Sequence, residues 1–368
     1  MRRRELISSG AAALCAAGLR PVTAAPRLRI LILGGTKFIG VHMTQLALKR
    51  GYAVTLFNRG KTNAALFPQV EKLRGDRNGQ LEALKGRSWD AVIDDSGFVP
   101  RHVRLSAELL APHVQRYVYV SSVSAYASLA KPTDESSPLA TIADESTEKV
   151  TETTYGPLKA LCEKAVEVAM PHRAIVLRPG FIVGPDDPTD RFTYWPARAA
   201  RGGRMLVPGT PAQPIQFIDA RDLARFTLDA IERELTGTFN MVAPPGHFTM
   251  RALIAASISA AQALARPSPP PRAVWASVDF LERQKADDDF PIWVPPTGDT
   301  AGFAEVSAAR AMQAGLRITP MATTVHDTLA WYLRQPASQR AHLKAGPAPE
   351  REMQLLAAWT ASTVKRSA

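Results

Sequence analysis

Cysteine is scarce in this 368-residue chain: only Cys15 and Cys162 occur. Cys15 falls in the N-terminal segment, so a processed chain keeps one thiol and no internal disulfide. The seven histidines are scattered without metal-ligand spacing, which argues against a metal site. No apolar run is long enough to cross a bilayer as a helix, so no membrane span is expected. Disorder is excluded by composition, with 46% hydrophobic and 21% charged residues. Acidic residues are outnumbered: 45 Lys and Arg face 34 Asp and Glu, a net charge of +11. That surplus favours anionic ligands, suits a phosphate-bearing cofactor and leaves nucleic acid open as a partner, although a solvated basic surface explains it as simply. The length suits a large core shared by two associated lobes.

The first 25 residues read MRRRELISSGAAALCAAGLRPVTAA. Basic residues come first, a mildly apolar stretch from Leu6 to Leu19 follows, and small residues close the segment, which is the layout of an export signal. Arg3-Arg4-Glu5-Leu6-Ile7 resembles the twin-arginine pattern. Ser8, Ser9 and Gly10 dilute the apolar stretch and Arg20 sits near the cleavage zone, both features of that route. Twin-arginine export carries folded proteins, which suits an enzyme that loads a nucleotide first. The periplasm is the expected location, with a cytoplasmic enzyme bearing a basic N-terminus as the alternative.

From Arg29 onward short apolar runs alternate with helical stretches. Strands are expected at 30–33, 53–57, 72–73, 91–93, 117–121 and 174–177, and helices at 38–49, 79–84, 103–110 and 155–170. Strands joined by helices indicate an α/β fold, a doubly wound parallel sheet with helices on both faces. The four prolines of ARPSPPPR at 265–272 mark a loop or a connection between lobes. A dinucleotide-binding lobe over 26–185, a mostly substrate-binding stretch over 186–334 and a helical appendage over 335–368 are expected.

Gly34-Gly35-Thr36-Lys37-Phe38-Ile39-Gly40 follows the first strand and opens a helix. Gly34 permits a tight turn, Gly40 lets the helix approach the sheet, and the helix N-terminus offers unpaired N–H groups to a diphosphate. Two expected residues are missing. The middle glycine is replaced by Lys37, which adds charge beside phosphate. The acid that usually ends the second strand and binds ribose hydroxyls is absent, the chain reading Phe57-Asn58-Arg59-Gly60-Lys61. Asn58 still suits a ribose, and Arg59 suits a 2′-phosphate, so NADP is expected over NAD. Asp76 is a candidate for the adenine, and Ser96 and Gly97 for the length of the cofactor; as plain strand caps they need no ligand.

Tyr155-Gly156-Pro157-Leu158-Lys159 sets a phenol and an ammonium four residues apart on one helix face. Pro157 is tolerated if the helix begins near Thr154. A nearby cation stabilises a phenolate, so Tyr155 suits a general acid or base near neutral pH. Lys159 is also expected to hold the nicotinamide ribose. The fifth strand ends in Val120-Ser121-Ser122-Val123-Ser124, and Ser122, or else Ser124, suits a hydrogen bond to the substrate oxygen.

These segments together resemble the NAD-dependent epimerase/dehydratase branch of the extended short-chain dehydrogenases/reductases. The carrying residues are GGTKFIG at 34–40, VSSVSAY at 120–126, YGPLK at 155–159, LRPGFIVGP at 177–185 and FIDARDLA at 217–224, with a similar closing segment at 314–332. The resemblance implies catalytic Ser122, Tyr155 and Lys159 and a Rossmann-like lobe with a smaller C-terminal substrate lobe. It implies an NAD(P)-dependent oxidoreductase acting on a carbonyl or hydroxyl group, or a nucleotide-sugar epimerase/dehydratase. Nucleotide-sugar members carry an arginine where this chain has Ile215, and an Arg-Tyr-Phe-Asn type of segment where it has Arg178-Pro179-Gly180-Phe181. Both changes point away from a diphosphate sugar. Arg191, Phe192, Tyr194 and Trp195 suit either an aromatic pocket or core packing. The GGTKFIG lysine and LFNRGK also resemble an atypical subgroup that includes chloroplast stem-loop RNA-binding proteins, so a non-catalytic RNA-binding protein on the same scaffold is the rival reading. A small-molecule substrate is the expected partner rather than nucleic acid, and a homo-oligomer is left open.

If Arg3 and Arg4 direct export, replacing both with Lys retains the protein in the cytoplasm. Cell fractionation checks this; finding wild type and double variant both in the cytoplasm removes the export reading.

Overall fold

The computed structural model describes residues 27–367. The expected export signal lies outside the described residues.

Continuous apolar runs such as Arg29-Ile-Leu-Ile-Leu33 form strands buried on both faces. In chain order the first half gives β1 (Arg29–Leu33), α1 (Ile39–Lys49), β2 (Ala53–Asn58), β3 (Glu71–Arg74), β4 (Ala91–Asp94), α2 (Pro100–Leu110), β5 (Arg116–Val120), α3 (Glu152–Ala169) and β6 (Ala174–Pro179). The rest gives β7 (Phe181–Val183), α4 (Tyr194–Ala200), β8 (Arg204–Pro208), β9 (Pro214–Ile215), β10 (Phe217–Asp219), α5 (Ala220–Glu232), β11 (Gly237–Met241), β12 (Phe248–Thr249), α6 (Met250–Leu264), β13 (Arg272–Ala276) and α7 (Val278–Arg283). Helices α8 (Ala309–Gln313), α9 (Met321–Leu333), α10 (Ala337–Arg340) and α11 (Pro349–Ser367) close the chain.

Seven strands form one parallel sheet in the order β3-β2-β1-β4-β5-β6-β11. The order reverses between β1 and β4, which opens a crevice at the carboxyl ends of those strands. Alternation divides the core. Ile30, Ile32, Val118 and Ile175 pack on one face with residues of α1 and α5. Leu31, Leu33, Tyr117 and Val176 pack on the other with α2 and α3. A separate core beneath α4, α6 and α9 contains Phe192, Tyr194, Trp195, Phe217 and Phe248, so those three aromatics after Arg191 are packing residues. Strand β11 and helix α5 return to the main sheet, so the 186–334 stretch contributes to both lobes.

Three local expectations change. Residues 79–84 hold only a 3-10 turn at Glu82–Leu84, because Gly79 adopts φ 96° and Asp76 bridges to Gln80. Helix α3 starts near 152 rather than 154, because the Thr151 and Thr154 hydroxyls cap each other's backbone N–H groups. Pro157 therefore sits beyond the first turn. The C-terminal stretch is also more than an appendage. Glu352 of α11 is buried against Arg198 at 2.5 Å and accepts the Leu206 N–H at 3.0 Å, while Leu355 and Leu356 join the second core.

Candidate functional site

The glycine-rich turn between β1 and α1 is tight for identifiable reasons. Gly34 and Gly35 adopt φ 127° and 82°. A Cβ on Gly34 would lie 1.7 Å from a carboxylate oxygen of Asp95, and one on Gly40 would lie 2.0 Å from the other. Helix α1 has no side-chain cap and no acidic residue in its first turn. Its N-terminus is thus free to face an anion. Lys37 is exposed, Thr36 is buried, and Phe38 holds φ 40° at the N-cap with Ile39 opening the helix.

Asp95 escaped the sequence reading. Its signal was a tandem, Asp94-Asp95, ending a buried strand. Asp94 is neutralised by Arg77 in two contacts of 2.6 Å and receives the Tyr117 hydroxyl at 2.9 Å. Asp95 has no such partner; it accepts the Gly35 N–H at 3.0 Å. Burial pushes its carboxyl up to about 7, opposed by the Gly35 hydrogen bond and reinforced by the neighbouring Asp94 charge.

Several expected cofactor contacts serve the protein itself. Asn58 uses its amide to donate to Gly34 O at 2.8 Å and to accept the Gly60 N–H at 2.8 Å. It ties the β1 and β2 turns together, a role that a ribose hydroxyl was expected to share. Ser96 donates to Leu33 O at 2.6 Å, pinning the end of β4 to that of β1. Asp76 accepts the Asn78 N–H at 3.0 Å and lies 4.0 Å from Arg59, which is otherwise largely exposed. Arg74 joins this end of the crevice: its guanidinium lies across Gly60, 1.3 Å from where a Cβ would stand. The sequence reading ended this strand at residue 73 and gave Arg74 no role; it is the last residue of β3.

The YGPLK segment is brought to the serine turn by close packing. A Cβ on Gly156 would lie 2.2 Å from Ser124 O, so only glycine lets α3 approach here. Ser122 is buried and accepts the Ser124 N–H at 3.1 Å, which leaves its own proton free for another oxygen. Ser124 is exposed and makes no comparable contact. Burial raises the Tyr155 phenol, while hydrogen bonding to Ser122 and the charge of Arg191 pull it back. Lys159 departs from the expected geometry. Its ammonium is buried, donates to Gly97 O at 2.8 Å and to Val120 O at 2.6 Å, and lies over the Tyr119 ring at 4.4 Å. It makes no ion pair among the described residues, and burial pushes it down to about 8. The carbonyl ends of two strands draw the lysine inward. Phe98, exposed beside Tyr155 with ring centroids 6.4 Å apart, completes the mouth.

Among the described residues no group of three or more His, Cys, Asp or Glu is placed to hold a metal ion, and no helix is long and apolar enough to cross a membrane.

An open parallel sheet in this order, with a glycine-rich turn at its crossover, defines a Rossmann-like α/β protein of the extended short-chain dehydrogenase/reductase type. The chain belongs to the NAD dependent epimerase/dehydratase family, whose profile matches residues 30–241. Similar solved structures include the Bordetella bronchiseptica enzyme WbmH in complex with NAD+ (18% identity, 84% of this chain and 99% of that one, TM-score 0.57). The Bacillus cereus UDP-glucuronic acid 4-epimerase in complex with NAD is another (15%, 83% and 96%, TM-score 0.57), and a human epimerase family protein with NADPH a third (21%, 82% and 99%, TM-score 0.55). The chloroplast stem-loop binding protein of 41 kDa b from Arabidopsis thaliana is 32% identical over 28% of this chain; the match spans about a third of that relative, 32% of its length.

Replacing Asp95 with Asn keeps an acceptor for Gly35 and removes a charge that burial disfavours. The folded-state value lies above the unfolded one, so the stability of wild type is lost as pH rises from about 4 through about 7. Asp95→Asn is expected to be more stable than wild type by about 1–2 kcal/mol at pH 8, discounted because the carboxyl is partly open to solvent, and equal to it near pH 4. Denaturant titrations at the two pH values check this.

Proposed function

We propose that the protein is an NADP-preferring oxidoreductase that acts on a carbonyl or hydroxyl group of a small substrate. The observation that carries this reading is the convergence of Ser122, Tyr155 and Lys159 at the carboxyl ends of β4 and β5, beside the glycine-rich turn. The cradle fits a dinucleotide. Gly34, Gly35 and Gly40 let the turn close on Asp95 and Leu56, and the uncapped α1 N-terminus favours a diphosphate. A nicotinamide bound there supplies or accepts the hydride.

The chain's own groups do the rest. Tyr155 Oη exchanges a proton with the substrate oxygen, and Ser122 Oγ donates a hydrogen bond to that oxygen. Lys159 Nζ, fixed between two carbonyls, presents its remaining proton to a ribose hydroxyl and supplies positive charge to a site with little solvent. The charge of Arg191 opposes the rise that burial imposes on the phenol. Arg59 and Arg74 favour a 2′-phosphate at the far end of the crevice. Structures of this fold have been solved with NAD+ and with NADPH, so the preference rests on those two guanidiniums.

Ile215 supports a substrate other than a diphosphate sugar, since no cation lines the cavity it borders. Arg3-Arg4-Glu5-Leu6-Ile7 supports action in the periplasm after export of the folded, cofactor-loaded enzyme. The partial likeness to a stem-loop binding protein supports the rival RNA-binding reading. The retained Tyr155 and Lys159 weigh against it.

Single-turnover hydride transfer with a carbonyl and alcohol panel separates the two. Tyr155→Phe is expected to lower turnover by about 10²–10⁴-fold with dinucleotide affinity unchanged. Arg59→Ala with Arg74→Ala is expected to weaken NADPH by roughly 10–100-fold and leave NADH unaffected. Full activity in Tyr155→Phe sinks the mechanism. Absence of turnover together with RNA binding that falls steeply with salt replaces it with the rival.

A further inference from the structure

The turn after β1 is held so that its N–H groups share one side. Its three carbonyls are tied to the protein: Asn58 donates to Gly34 O at 2.8 Å, Thr44 to Gly35 O at 3.2 Å and Asn63 to Thr36 O at 2.9 Å. These peptides are trans, so the N–H that follows each carbonyl points away from the group that binds it. Those N–H groups belong to Gly35, Thr36 and Lys37. Among the described residues, Thr36 N–H and Lys37 N–H meet no acceptor. Gly35 N–H is taken by Asp95 at 3.0 Å. The Asp95 carboxyl is half-buried, and its two oxygens lie 1.7 Å and 2.0 Å from where Cβ atoms on Gly34 and Gly40 would stand. An acid of the chain therefore rests on the same turn and helix end that favour an anionic ligand.

No ion pair neutralises it among the described residues. Asp94, its neighbour on β4, takes Arg77 in two contacts of 2.6 Å, and Arg77 also reaches Ser106 at 2.8 Å. The turn contributes Lys37, which is exposed, and the first turn of α1 contributes no acid. His42, farther along α1, is bonded to Pro185 O at 3.0 Å. An ionised Asp95 and a dinucleotide's diphosphate are like charges drawn to the same N–H groups, which disfavours holding both. A neutral carboxyl removes the conflict. One oxygen keeps the Gly35 N–H, and the other carries a proton that a phosphate oxygen accepts. Burial raises the carboxyl to about 7, so the neutral form is within reach at physiological pH.

We propose that Asp95 meets the dinucleotide's diphosphate as a neutral carboxylic acid, so that dinucleotide binding takes up a proton at this residue. This rests on the dinucleotide reading of the crevice and adds a residue that sets its affinity. A purely structural Asp95, tying the end of β4 to the turn, does no more than accept the Gly35 N–H, which an asparagine serves equally well.

Titration with NADPH, followed by nicotinamide fluorescence from about pH 6 to about pH 8.5, compares wild type with Asp95→Asn. Asparagine keeps an acceptor for Gly35, adds a donor and carries no charge, so it stands in for the neutral acid at every pH. Binding raises the carboxyl above its free value, so wild-type affinity is full below about 7 and is lost as pH rises through it. The ratio of wild-type Kd to variant Kd is expected to rise about tenfold between pH 6 and pH 8. The ratio cancels groups that both proteins share: Lys159, pushed down to about 8, and the cofactor's 2′-phosphate, which titrates near ~6. Calorimetry of wild type alone, at about pH 7.5 in buffers of different ionisation enthalpy, is expected to show uptake of about half a proton or more per NADPH. A ratio that stays flat across this range, or no net proton uptake by wild type, overturns the proposal and leaves the dinucleotide site standing. Failure of NADPH to bind at any pH overturns both.

Discussion

The crevice depends on one buried ammonium. Lys159 reaches from α3 across the ends of two neighbouring strands, bonding Gly97 O beyond β4 and Val120 O at the end of β5. A cation in that position is costly unless its protons are satisfied. Two carbonyls and the face of Tyr119 meet that need without neutralising the charge. The same contacts fix α3 against the sheet, and Gly156 lets the helix come close enough to set Tyr155 beside Ser122. Positive charge is thus kept in a low-dielectric site and aimed at the place where the sheet order reverses.

Other buried charges brace this arrangement from behind. Glu163, one turn along α3 from Lys159, takes Arg178 of β6 at 2.6 Å and the hydroxyl of Ser121. Arg77 clamps Asp94 at the end of β4. Each pair is nearly dry, so its value lies in fixing strand ends relative to helices more than in net stability. Asp95 makes no ion pair among the described residues, and it stands on the glycine-rich turn itself.

Much of this was legible in the sequence. The strand and helix rhythm, the two glycines of the first turn and the spacing of Tyr155 and Lys159 follow from local rules, and the structure places them at one crevice. Contacts between distant segments were not legible. The bonds of Asn58 to Gly34 and Gly60 depend on how two turns meet. The bonds of Lys159 to Gly97 O and Val120 O were hidden because helical spacing says nothing of strand-end carbonyls. Arg191 was visible only as one residue of an aromatic-rich segment. The neighbouring Asp190 is held by Lys344, more than 150 residues away. Strand β11 was missed because Gly237-Thr-Phe-Asn-Met241 is short and carries two polar residues.

The central claim is that this crevice receives a nicotinamide dinucleotide with Lys159 at its reactive end. Titration of the purified protein with NADPH, followed by the change in nicotinamide fluorescence, tests it most directly. The account predicts saturation at one NADPH per chain and at least tenfold weaker binding in Lys159→Ala. Failure of both NADPH and NADH to saturate the wild-type protein at millimolar concentration would contradict it.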